Sequence, residues 1–133
     1  MRIDSSVGAG PFRAEIGDIV IVFGIGVTSI LYVARITRRA FAADEQERRT
    51  WRIDYPWSIL GENLYPNFGF NWHRYKLSPF QLVKDFHRIA PLSAVTHVGG
   101  RTLGAINHHS DRIKLSDDFA MFVIGHVHGL DGI

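Results

Sequence analysis

Residues 63–75, NLYPNFGFNWHRY, hold five aromatic rings, three asparagines, a histidine and an arginine in thirteen positions. Rings interleaved with amides suit a pocket for a flat, hydrogen-bonding ligand such as a nucleobase. Removing a base from its stack costs a few kcal/mol, which stacking on aromatic side chains and hydrogen bonds to the base edge offset. Trp51, Trp57, Tyr65, Trp72 and Tyr75 offer ring faces, and Asn63, Asn67 and Asn71 offer amides that both donate and accept. The same stretch also reads as a strand, because Phe68, Phe70 and Trp72 recur at a spacing of two and would fill a core from one face. On that reading Asn63, Tyr65 and Asn67, ahead of the strand, are the better candidates for a reader.

A second polar concentration is NHHSD, residues 107–111. Adjacent His108 and His109 would face opposite ways in a strand, so one shared metal is disfavoured. Together with Asp111 they could do acid–base work, whereas Ser110 and Asp111 could bond the edge of a base. GHVHG, residues 125–129, would place His126 and His128 on one face of a strand, either as a chelating or as an exposed pair. No HExxH-type spacing is present, and no metal or other cofactor is expected. The glycines of VGAG and FGIG lack the lysine and the strand–helix context of a phosphate loop. Six arginines (Arg35, Arg38, Arg39, Arg48, Arg49 and Arg52) crowd eighteen positions opposite Asp44, Glu45 and Glu47. They form either a solvated, internally paired helix face or a surface for phosphate.

The elements that must position these groups follow from periodicity. A turn at Gly17-Asp18 leads into an apolar β-branched run over Ile19–Phe23. TSILYVARITRR then alternates, with Ile30, Tyr32, Ala34 and Ile36 on one face and Ser29, Leu31, Val33 and Arg35 on the other, and the short connector makes an antiparallel pair. Helix formers from about Ala40 to Arg49 predict a short helix. LSPFQLVKDFHRI carries the strongest helix signature, with Ser78 as N-cap, Pro79 in the first turn, and Phe80, Leu82, Val83, Phe86 and Ile89 as an apolar stripe. LSAVTHV and DFAMFVIGHV read as further strands. This order, without regular βαβ alternation, predicts an α+β fold with a small, curved, mostly antiparallel sheet or open pseudobarrel flanked by two or three helices.

The 133 residues fit a single domain spanning 1–133, with 46% hydrophobic and 21% charged residues, the composition of a globular chain. There is no cysteine, which excludes disulfides, thiolate metal sites and cysteine nucleophiles. The apolar run IGDIVIVFGIGV contains Asp18 and is too short to span a bilayer, so neither a signal peptide nor a membrane partner is expected, and the expected location is cytoplasmic. A net charge of +2 makes the distribution of arginines more informative than the total.

The chain carries, in order, RIDSSVGAGPF, IGDIVIVFG with a following strand ending in YVARIT, GENLY, and HSDRIKLSDDFAMF. Taken together these stretches resemble the nucleotide-modification-associated domains of phages and bacteria. Those domains are similar to the wider PUA-like group that includes the EVE, ASCH and YTH domains. The resemblance implies a small pseudobarrel whose pocket accepts a nucleotide, often a modified base flipped out of a strand, and implies binding more firmly than catalysis. It also implies that the segment with Asp4, Ser5 and Ser6 lines the pocket.

The resulting expectation is a non-catalytic domain that binds nucleic acid or a nucleotide. Trp57, Tyr65 and Trp72 would stack, Asn63 with Ser110 or Asp111 would bond the base edge, and Arg35, Arg38 and Arg39 would contact phosphate. Two alternatives stand beside it: a small nucleotide-processing enzyme using His108, His109 and Asp111, and a protein-interaction module, such as a phage-encoded inhibitor, presenting Trp51, Trp57 and Tyr65 to a protein partner.

Overall fold

The computed structural model describes residues 2–5, 15–24, 28–42, 57–91, 94–95 and 115–133. Among them are four strands, β1 (Arg2–Ser5), β2 (Ile19–Gly24), β3 (Ser29–Ala42) and β4 (Trp57–Asn63). Four helices follow, α1 (Pro66–Phe70), α2 (Trp72–Tyr75), α3 (Pro79–His87) and α4 (Asp117–Asp131). The strands form one sheet in the order β1-β4-β3-β2, with β4 antiparallel to both β1 and β3. The fold is α+β. Two compact units divide the chain: one is Met1–Val20 with Ala34–Leu64, the other Ile21–Val33 with Tyr65–Ile133.

In the first unit, Gly17 and Asp18 build the turn that the sequence places there. Gly17 adopts φ +94°, a conformation that costs glycine little and other residues more. The Asp18 carboxylate accepts a hydrogen bond from the Glu15 N–H at 2.9 Å, and the Asp18 N–H donates to the Glu15 carbonyl at 3.0 Å. The turn is tied to β3 by Gly17 N–H donating to Ile36 O at 2.8 Å and Ile36 N–H donating to Asp18 O at 2.9 Å. Ala34 and Ile36 are buried here, on the face the alternation assigns to them.

The second unit packs its helices around Phe68, Leu82, Phe86, Phe119, Val123 and Val127, all buried. Ser78 caps α3 by accepting from the Gln81 N–H at 3.3 Å, with Pro79 next in line, as its sequence signature requires. Leu82 and Phe86 of the stripe reach the core, whereas Ile89 lies past the helix end and is 74% exposed. Phe86 meets Phe119 at 5.2 Å between ring centroids in an edge-on contact and Phe122 at 5.4 Å, distances typical of stabilising aromatic pairs.

Three sequence expectations are overturned. The strand expected over Phe68–His73 is the helix pair α1–α2. Pro66 fixes the first helical φ, and helical geometry sends residues two apart to opposite sides, so Phe68 is 0% exposed while Phe70 is 84% exposed. The closing strand expected in DFAMFVIGHV is helix α4. Its β-branched content suggested a strand, but Phe119, Val123 and Val127 recur every fourth residue and all are buried, and Ser116 caps the start by accepting from the Phe119 N–H at 3.1 Å. His126 and His128 therefore do not share a strand face. Ala40–Ala42, expected to open a helix, complete β3.

Of the strand expected in LSAVTHV, Ala94 and Val95 lie in a turn closed by Ala94 N–H donating to Pro91 O at 2.9 Å. The rest of that stretch, and the helix expected over 43–49, lie outside the described residues.

Candidate functional site

A regular strand would send Arg35 and Arg38 to opposite faces, since they are an odd number of residues apart. In β3 they share one. Arg35 stands across from Glu62, Ile36 from Gly61 and Arg38 from Leu60, so Thr37 is an extra residue with no counterpart on β4. This β-bulge resets the alternation, a common use of bulges in re-aiming side chains. Arg35, Thr37 and Arg38 are all exposed, and Glu62 is exposed on the same face directly across from Arg35. A second register shift follows between Arg38 and Phe41, and Arg39 lies within it on β3.

Gly61 lets the strands meet closely beside the bulge. A Cβ at that position would stand 3.1 Å from the Arg35 carbonyl oxygen and 3.2 Å from Ala34 Cβ. The opposite face at this point carries buried Ala34 and Ile36, with half-buried Asn63 paired across from Ala34. Asn63 and the two arginines thus project from opposite faces of the β3–β4 ladder.

Trp57 opens β4, where it pairs with Ser5 of β1 and Ala42 of β3. Tyr65 occupies the N-cap position of α1, is half-buried, and directs its ring edge-on to His128 at 5.8 Å. Trp72 opens α2, half-buried, with its indole edge-on to His73 at 5.9 Å. Tyr65 and Trp72 belong to the second unit; Trp57, Asn63, Arg35, Arg38 and Arg39 belong to the first. Ser110, Asp111, His108 and His109 lie outside the described residues, as do Trp51 and Ser6.

The histidines of α4 have separate surroundings. His126 Nδ1 lies 2.9 Å from the Phe122 carbonyl oxygen, which places the proton on that nitrogen. Among the described residues, no three His, Asp or Glu side chains gather in a way that could hold a metal ion. No helix among them is long and apolar enough to cross a membrane.

Sequence reasoning misses the Thr37 bulge, Glu62 across from Arg35, and an open depression of about 460 Å³ between α3 and α4 lined by Phe86, Ile89, Ala90, Asp118, Met121 and Phe122. The bulge leaves no compositional mark, since it depends on pairing with a strand more than twenty residues away. The depression was hidden by reading α4 as a strand. No protein-family model, curated protein or solved structure matches the chain.

Proposed function

We propose that the chain is a non-catalytic nucleic-acid- or nucleotide-binding protein of the PUA-like kind, whose Arg35 and Arg38 contact phosphate. The supporting observation is the Thr37 bulge, which turns both guanidinium groups to one exposed face of β3. A guanidinium stays charged at any physiological pH and matches phosphate oxygens two at a time. Glu62 moderates the charge of this face, so binding of moderate strength and marked salt sensitivity is expected.

The finer reading gives Tyr65, Trp72 and Trp57 stacking roles and gives Asn63, with Ser110 or Asp111, the base edge. Tyr65 and Trp72 are half-buried rings, a degree of exposure compatible with stacking on a base. The small antiparallel sheet with its helices is compatible with a pseudobarrel that receives a base, modified or not.

The test is fluorescence anisotropy against single-stranded and duplex oligonucleotides, with and without modified cytosine or adenine, at two salt concentrations. R35A/R38A should weaken binding and lower the salt slope by about one for every phosphate left without its arginine. Unchanged affinity would remove this face from the reading. If the native chain binds no oligonucleotide, the protein-interaction alternative takes precedence.

A further inference from the structure

The ladder between β3 and β4 sets how far apart Arg35 and Arg38 stand. Their partners on β4 are Glu62 and Leu60, two residues apart, because the bulge takes up Thr37. A strand rises about 3.3 Å per residue, so the two arginines leave the exposed face about 7 Å apart along the strand. Buried Ile36 lies between them, accepting from Gly17 N–H and donating to Asp18 O. The Gly17-Asp18 turn on one side and β4 on the other thus keep this register.

We infer that this face grips two successive phosphodiesters of one polynucleotide strand laid along β3, one at each guanidinium, and not the polyphosphate of a free nucleotide. The inference rests on the phosphate-binding reading above and narrows its class of ligand. Successive phosphates of a strand are separated by a whole sugar and carry one charge each, which a pair of spaced, fork-shaped donors matches. In a nucleoside triphosphate, neighbouring phosphorus atoms share a single bridging oxygen. More charge is then crowded into a shorter reach than the two arginines span.

Glu62 sharpens the choice. It is exposed directly across from Arg35, on a residue whose Cβ stands about 5 Å away in such a pair. A singly charged diester bound at Arg35 meets modest repulsion from this carboxylate, whereas a phosphate chain of higher charge meets more. The carboxylate therefore selects against dense negative charge while the arginines hold the sparse charge of a strand.

Anisotropy with two single-stranded oligonucleotides of equal net charge tests this. Both carry the same number of neutral methylphosphonate linkages. In one these alternate with the charged diesters; in the other they are gathered at one end, so only the second presents adjacent charges. Each is made with deoxyribose and with ribose, and the second arrangement should bind about tenfold more tightly in at least one sugar, the worth of one charge-assisted contact. In R35A, and separately in R38A, the two arrangements should bind alike at the weaker level, a loss of discrimination that general destabilisation would not produce. Equal binding of both by the native chain overturns the inference while phosphate binding stands. Failure to bind even the fully charged oligonucleotide sinks the phosphate reading and this inference with it. ATP should compete poorly against the charged oligonucleotide and should gain more than the oligonucleotide does in E62Q; strong competition by ATP against the native chain would overturn the assignment to a strand, and equal gains in E62Q would refute the part given to Glu62.

Discussion

The Phe68 backbone N–H donates a hydrogen bond to Asp131 Oδ1 at 2.9 Å, across 63 residues of chain. Helix α1 receives no side-chain cap from Tyr65 at its own N-cap position, so the last residue of α4 supplies one. The Asp131 carbonyl also accepts from Asn67 Nδ2 at 2.7 Å. An isolated five-residue helix is unstable in water, and this borrowed cap together with the burial of Phe68 gives α1 its stability.

Removing the carboxylate in D131A should therefore lower stability by about 1–2 kcal/mol, the usual cost of losing a cap that accepts through a charged group. D131N keeps an acceptor oxygen and should lose less. Urea unfolding of the three proteins checks the order; equal stability of D131A and the native chain would show that α1 does not depend on the cap.

Ser116 holds two neighbours at once. Its Oγ accepts from the Phe119 N–H at 3.1 Å and donates to the Ala94 carbonyl. S116A should cost about 1–3 kcal/mol, because a cap is lost and a part-buried carbonyl loses its partner. S116T preserves the hydroxyl and should recover most of the loss, as read from thermal melting.

Exposure separates two phenylalanines that a strand would have placed side by side. F68A should cost about 3–5 kcal/mol through the cavity it leaves, and it also removes the ring stacked on Tyr75 at 5.8 Å. F70A should fall within about 0.5 kcal/mol of the native chain. Comparable losses at both positions in chemical denaturation would favour the strand over the helix.

Gly61 offers a way to disturb the arginine face without removing charge. In G61A the new methyl group presses on the Arg35 carbonyl oxygen and Ala34 Cβ, so β3 must shift beside the bulge, at a cost of about 1–3 kcal/mol. On the proposed function, oligonucleotide affinity should fall with the net charge intact. Anisotropy and melting measured together would show a stability loss without an affinity loss if the face is not used.

Local chemistry made part of this architecture legible. Gly17-Asp18, the alternation along β3 and the Ser78-Pro79 cap each settle their own conformation within a few residues, and each appears where the sequence places it. Phe68, Phe70 and Trp72 misled because a spacing of two in a short, aromatic-rich stretch fits a strand, while the decisive partner, Asp131, stands at the other end of the chain. In α4 the valines and isoleucine argued for a strand, and only the four-residue spacing of the buried side chains, with Ser116 ahead of it, argued for a helix. Arg35 and Arg38 were legible as a basic pair; their common face was not, because the extra residue Thr37 is defined by its register against β4.

The fourteen residues of β3 do not form a uniform element. From Ser29 to Ala34 no residue is exposed, and the Ile30 amide donates to the Leu77 carbonyl at 2.8 Å; from Arg35 to Arg38 only Ile36 is buried. Hydrogen–deuterium exchange should divide this single strand, with amides before Arg35 opening only at a free energy close to that of global unfolding and those around the bulge exchanging through cheaper local openings. The arginines would then ride on the part of the strand that can adjust its pitch to a ligand while the rest stays fixed.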